Sequence, residues 1–318
     1  VAEDIVRETF ATDPGGPDEG LGTAGAVVVA LDGSTGDEPV LDWATDEAAR
    51  LGAPLRVVSV VDPGVQLTPY EALVSGSPSL ADGLEQGARQ VLDRATARVR
   101  DREPGLHVAT AMPWGPPAAA IVRLSVGALR VVVGAPGRGR LERMLLGSVA
   151  LPVVAHARCP VAVVPADTDV VRPRRIVVAV DGSEASGRAV ETALSSAQAS
   201  GASVTCVLGW HLEVHHGVVV TEPGSDSWVE VERRYAALVH GVVDPVVQRH
   251  PGVDVTVDIR HGSPSKAVVE AGAELDADLI VVGRRGHGGF AGLLLGSVSR
   301  QVVQHAGRVV VVVPDDAD

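Results

Sequence analysis

Two segments of this chain repeat one glycine spacing. The first reads Gly134-Ala135-Pro136-Gly137, nine residues, then Gly147-Ser148; the second reads Gly283-Arg284-Arg285-Gly286, nine residues, then Gly296-Ser297. Glycine at fixed positions lets a backbone approach a ligand with no side chain between them. Successive N–H groups in such a loop can form an anion nest. A Gly-Ser pair at a helix N-terminus adds unpaired N–H groups and the positive end of the helix dipole, and both suit a phosphate. Each serine can instead simply cap its helix.

Two better-known phosphate motifs do not apply. A P-loop needs Gly-Lys-Ser/Thr, and the single lysine, Lys266, is remote in sequence from both Gly-Ser pairs. The stretch from Gly286 to Ala291 fits Gly-x-Gly-x-x-Ala, but it follows the fourth strand of its copy rather than the first. Copy one has Glu142 where copy two has Ala291, so this match is read as a false positive.

The spacing belongs to a larger repeat. Asp32-Gly33-Ser34 and Asp181-Gly182-Ser183 lie 149 residues apart, as do Gly134 and Gly283, Ser148 and Ser297, and Pro165 and Pro314. A constant register over four landmarks is a tandem duplication. The expected organisation is a flexible tail over 1–24, domain one over 25–165, a linker over 166–173 and domain two over 174–318.

Each copy alternates apolar strand runs with helical periods. In copy one, strands are expected over Ala26–Leu31, Leu55–Val61, Leu106–Ala111, Leu129–Val133 and Val161–Val164. Helices are expected over Asp37–Leu51, Leu80–Glu103, Pro116–Gly127 and Gly147–His156. In copy two, strands are expected over Arg175–Val180, Ser203–Leu208, Val253–Ile259, Asp278–Val282 and Arg308–Val313. Helices are expected over Glu184–Ser200, Ser227–Arg249, Ser265–Leu275 and Gly296–His305, with Pro245 kinking or breaking the second. Strands that are apolar throughout and alternate with helices predict an α/β fold with a parallel sheet covered on both faces. The right-handed crossover makes it doubly wound, with ligands at the carboxyl ends of the strands.

A net charge of −13 argues against a nucleic-acid partner. No run approaches the roughly 20 apolar residues of a membrane span, and a cytoplasmic location is expected. Cys159 and Cys206, one per copy, have no metal-ligand spacing and read as reduced core thiols.

The motif Gly-x2-Gly-x9-Gly-Ser after a strand, with an Asp closing the first strand, resembles the universal stress protein family in its ATP-binding branch. The segments Leu146-Gly147-Ser148-Val149 and Leu295-Gly296-Ser297-Val298, each running on to Val-Pro at Pro165 or Pro314, carry the resemblance. It implies two five-stranded sheets of order 3-2-1-4-5, each holding one ATP, with Mg²⁺ a candidate companion of the phosphates. Carried over by position, Asp32 and Asp181 would sit by ribose and phosphates. Val60 and Gly209 would face adenine through their backbones. Gly134, Gly137, Gly147, Ser148 and Val149 would cradle the nucleotide in copy one; Gly283, Gly286, Gly296, Ser297 and Val298 would do so in copy two. The function implied is an ATP-binding stress-response regulator whose occupancy sets a conformation. A slow Mg²⁺-dependent ATPase or phosphotransferase and a nucleotide-free scaffold are the alternatives.

The copies differ, and copy two is expected to be the better site. Pro136 removes an N–H donor from the first loop, and Arg138, Arg140 and Arg143 surround it. His211, His215 and His216 near Glu213 read as a solvated loop rather than a metal site, and Trp43 and Trp228 as helix packing. No catalytic constellation is visible. The last strands, Val161–Val164 and Val309–Val313, would be exposed apolar edges, so pairing of the two copies through them and a homodimer are expected.

Overall fold

The computed structural model describes residues 23–64, 78–135, 147–169, 172–211, 214–215, 218–219, 224–287 and 294–315. The expected tail lies outside these residues except at its last two positions. The chain divides into two compact units, with the break between Asp167 and Thr168.

Unit 1 runs β1 (Val27–Ala30), α1 (Asp37–Leu51), β2 (Leu55–Val58), α2 (Pro78–Arg102), β3 (Val108–Ala111), α3 (Pro117–Leu124), β4 (Arg130–Gly134), α4 (Ala150–His156) and β5 (Val161–Val164). Its strands lie in the order β3-β2-β1-β4-β5, every neighbouring pair parallel. Unit 2 runs β6 (Arg175–Ala179), α5 (Glu184–Ser200), β7 (Ser203–Trp210), a small hairpin of β8 (Val214–His215) and β9 (Val218–Val219), α6 (Asp226–Val247), β10 (Val255–His261), α7 (Pro264–Glu274), β11 (Leu279–Gly283), α8 (Ser297–His305) and β12 (Val309–Val313). Its order is β10-β7-β6-β11-β12, again parallel throughout. Both are the expected 3-2-1-4-5 doubly wound sheet.

The strands form because valine stiffens χ1 and packs well on a pleated surface. Val27, Val28 and Val29 of β1, and their neighbours Val131 and Val132 on β4, are fully buried. Each such side chain contributes about 1.5–3 kcal/mol by leaving water. Helix α1 turns Val40, Leu41, Ala44 and Ala48 inward and places Asp37 and Glu38 in its first turn, where the dipole favours them. It stops at Gly52, whose φ of 61° is left-handed; α5 stops the same way at Gly201, φ 74°.

Several boundaries differ from expectation. Helix α6 continues through Pro245 to Val247. The proline sits in the last turn, and Val239, Val243 and Val246 on the same stretch of the helix are buried. Strand β7 extends to Trp210 because its partner β10 continues to His261 in register. Helix α4 begins at Ala150, leaving Gly147 and Ser148 in the preceding turn. Pro152, which has no N–H to give, thereby lies in the first turn, where none is needed.

Candidate functional site

In unit 2 strand order reverses between β6 and β11, and the chain leaves both strands there. Asp181, two residues past β6, is the anchor. Its Oδ1 accepts the Ser183 N–H at 2.9 Å and the Ser183 hydroxyl at 2.5 Å. Its Oδ2 accepts the His287 N–H at 2.8 Å, from the glycine segment past β11. Burial opposes the charge, but the bonds from Ser183 and His287 outweigh it and hold the carboxyl below the ordinary carboxylate range.

The glycines around this carboxylate have little free space. A Cβ on Gly286 would fall on Asp181 Oδ2, well inside contact distance. One on Gly283 would lie 3.2 Å from the Arg285 carbonyl oxygen and 3.3 Å from that of Ala185; one on Gly296 would lie 3.2 Å from the Arg284 carbonyl oxygen. Gly296 N–H donates to the Arg284 carbonyl at 2.9 Å, and the Ser299 hydroxyl donates to the Gly283 carbonyl at 2.6 Å. The start of α8 is thus stitched to the end of β11. A Cβ on Gly209, late in β7, would lie 2.5 Å from Pro264 Cα at the start of α7.

Helix α8 has Gly296 as its N-cap and no side-chain cap bond. Ser297 is exposed at its first position and Val298 is half-buried. The serine therefore does not cap the helix, and among the described residues no side chain caps its first turn.

The sequence reading missed the support behind this loop. Arg284 and Arg285 both reach Asp315, with Nε to Oδ2 at 3.1 and 2.5 Å, and Arg285 N–H donates to Asp315 Oδ1 at 3.2 Å. Asp315 is buried. Its position directly after Pro314 was the available signal; copy one has Ala166 there, and Ala135 and Pro136 for the two arginines. Also missed was the company of Trp228. It packs with Trp210 at a ring distance of 4.7 Å and with His261 at 4.9 Å, while Tyr235 stacks on Trp210 at 5.4 Å. This agrees with a packing role.

Unit 1 is built differently. Asp32 is exposed, and its Oδ1 accepts the Ser34 N–H at 2.9 Å. The Asp32 and Gly33 N–H groups turn to the carboxylate of Asp37, at 3.4 and 2.8 Å. Burial, with the neighbouring Asp32 charge adding to it, raises the Asp37 carboxyl to about 6 against the pull of those N–H donors. Among the described residues no hydrogen bond joins Asp32 to the segment after β4. Gly134 is exposed at the end of β4, Val60 is half-buried beyond β2, and Ser148 is exposed between half-buried Gly147 and Val149. Gly137, with Pro136, Arg138, Arg140 and Arg143, lies outside the described residues. His211 is exposed, and no group of three or more His, Cys, Asp or Glu is arranged to hold a metal among the described residues. Nor is any described helix long and apolar enough to cross a membrane.

Two doubly wound units, one with an acidic residue and a glycine segment joined at its topological switch point, define a tandem Rossmann-like α/β protein. The chain belongs to the universal stress protein family: the family model matches residues 24–165 and again 173–314. It is 33% identical over 293 residues to Universal stress protein Rv2005c of Mycobacterium tuberculosis, covering 90% of this chain and 96% of the relative. It is 31% identical over 292 residues to a universal stress protein of Mycolicibacterium smegmatis, with the same two coverages. The crystal structure of a universal stress protein from Archaeoglobus fulgidus matches the fold with a TM-score of 0.66 at 21% identity, over 92% of this chain and 99% of that one.

Proposed function

We propose that this universal stress protein is an ATP-binding regulator in which nucleotide occupancy sets a conformation that other components read. One observation carries the proposal: Asp181, at the end of the first strand of unit 2, is bonded to the glycine segment after the fourth, at a Gly286 with no room for a side chain. These are the two segments that the family resemblance assigns to a nucleotide, and they meet where open α/β sheets take ligands.

In unit 2 the residues that would hold ATP are Asp181, Gly209, Gly283, Gly286, Gly296, Ser297 and Val298. The lack of a side-chain cap on α8 supports a phosphate at its first turn. In unit 1 the set would be Asp32, Val60, Gly134, Gly137, Gly147, Ser148 and Val149. ATP supplies a polyanion that such N–H donors attract, with Mg²⁺ neutralising part of it. We further propose that unit 2 is the tighter site, because its acidic residue already engages the glycine segment. A homodimer, with the last strands β5 and β12 paired, remains part of the proposal on the strength of their unbroken apolar runs. Light scattering of the purified chain across a concentration series tests the dimer.

The first experiment is denaturation of the purified protein followed by chromatography of any released nucleotide, alongside a Gly283→Ala, Asp181→Glu variant. ATP from the native chain, sharply reduced in the variant, is the expected result. ADP that accumulates on incubation with Mg²⁺ moves the reading to a slow ATPase. No nucleotide, and none bound when ATP is added, leaves a nucleotide-free scaffold.

A further inference from the structure

The internal repeat provides a control for every feature of unit 1. Between the loop after β1, the first turn of α1 and the middle of α2 lies a cavity of about 210 Å³. Its floor is apolar: Leu31 and Leu41 are buried, and Val91 and Ala95 of α2 close one side. Its rim carries Asp37, Glu38, Arg94 and Arg98, beside Gly33 and Ser34 of the loop after β1.

Glu38 and Arg98 are paired with each other, whereas Asp37 and Arg94 have capacity to spare. The Asp37 carboxylate takes one N–H on each oxygen, from Asp32 and Gly33. A carboxylate offers roughly four lone-pair sites, so this one can accept a further donor, with the Asp32 carboxyl close beside it. Arg94 spends its Nε on the Gln90 carbonyl at 3.2 Å and forms no ion pair among the described residues. Its neighbour Arg98, by contrast, is committed to Asp42 and Glu38.

The aligned positions of unit 2 are larger at the floor and uncharged at the rim. The spacing from Pro104-Gly105 to Pro251-Gly252 aligns α2 with α6, so Val91 corresponds to Leu238, Arg94 to Gly241 and Ala95 to Val242. The repeat register aligns Asp37 with Ser186. Leu238 lies so close to the loop after β6 that a Cβ on Gly182 would be 2.5 Å away from it, against 3.1 Å for Gly33 and Val91. The larger Leu238 and Val242 take up room that Val91 and Ala95 leave, and the charges of Asp37 and Arg94 have no counterpart at Ser186 and Gly241.

We propose that this cavity of unit 1 binds a small zwitterion with an apolar side chain, an α-amino acid of leucine size. Its ammonium meets Asp37, its carboxylate meets Arg94, and its side chain lies against Leu41, Val91 and Ala95. Opposite charges at the rim over an apolar floor match that ligand, whereas a simple organic acid would face Asp37 and a simple amine would face Arg94. The cavity lies against α1, α2 and the Gly33–Ser34 loop that follows Asp32, and no described residue of the glycine segment lines it.

The test is calorimetric titration of the full chain with L-leucine at about pH 8, where the Asp37 carboxyl is ionised. Saturable binding is expected, weakened roughly tenfold or more for 4-methylpentanoate, which lacks the ammonium, and for 3-methylbutylamine, which lacks the carboxylate. Val91→Leu, which installs the residue of unit 2, should abolish binding; Arg94→Gln, at an exposed position, should weaken it roughly tenfold. Circular dichroism and Tm check that both variants remain folded. No saturation up to about 20 mM overturns the proposal, as does an affinity that neither substitution changes.

Discussion

The carboxylate of Asp181 accepts the backbone N–H of His287 at 2.8 Å, across 106 residues of chain. It joins the end of the first strand of unit 2 to the glycine segment after the fourth. The counterpart in unit 1, Asp32, has no such bond among the described residues; there Asp37 takes the loop N–H groups instead.

Asp181→Asn should loosen the glycine segment. The amide keeps one acceptor oxygen and loses the charge, so a cost of about 1 kcal/mol is expected for this half-exposed group. Amide hydrogen exchange should accelerate at Gly286 and His287, and ATP release should quicken. Unchanged exchange at both residues would count against the bond as an anchor.

Gly286→Ala should be far worse than its small size suggests. The added methyl falls on Asp181, and overpacking of this kind costs about 1–3 kcal/mol. Gly87→Ala is the control: it lies inside α2 with nothing within 4 Å of a new Cβ. That change should stabilise the chain by about 0.5–1 kcal/mol through helix propensity. A thermal melt of both variants separates the two effects.

The acidic residues of the two units should respond to pH with opposite sign. Asp181 is depressed in the folded state, so its contribution is present above the ordinary carboxylate range and is lost as pH falls through the folded value. Asp37 is raised to about 6 from 3.8. The native state therefore binds more protons than the unfolded one between those values, and stability falls as pH rises through that window. Asp37→Asn should have little effect near pH 4 and stabilise by about 1 kcal/mol at pH 7, a figure discounted for its partial exposure. Tm measured against pH for both substitutions reads the two signs directly.

Both cysteines should be inert in the native protein. Cys159 and Cys206 are buried, and burial pushes each thiol up to about 12. Thiolate is the reactive species, so a thiol reagent at pH 8 should label neither until denaturant is added. Rapid labelling of the native chain would show that one of them opens to solvent.

Much of this was legible in the residues. Runs such as Val27–Val29 and Val309–Val313 read as apolar strands, and their alternation with helical periods points to parallel order. The register of 149 residues made the duplication plain. Boundaries were harder wherever a partner decided them: β7 reaches Trp210 because β10 is there to receive it, and α6 passes Pro245 because three buried valines outweigh a lost hydrogen bond. The glycine spacing identified the candidate site, but not the Asp315 clasp behind it. Nothing local distinguishes an aspartate after Pro314 from a solvated one until the two arginines are folded onto it.

The sequence by itself determined the two units, their parallel α/β class and the glycines that admit a close backbone approach, because these depend on periodicity, spacing and the absence of a side chain; the strand order came from the family resemblance. Tertiary structure decided how each unit uses the same motif. Asp181 meets His287, Asp37 takes the N–H groups beside Asp32, and a cavity opens beside Val91 where Leu238 leaves less room. Each of these depends on which atoms from distant segments arrive within bonding distance, and spacing along the chain does not encode that.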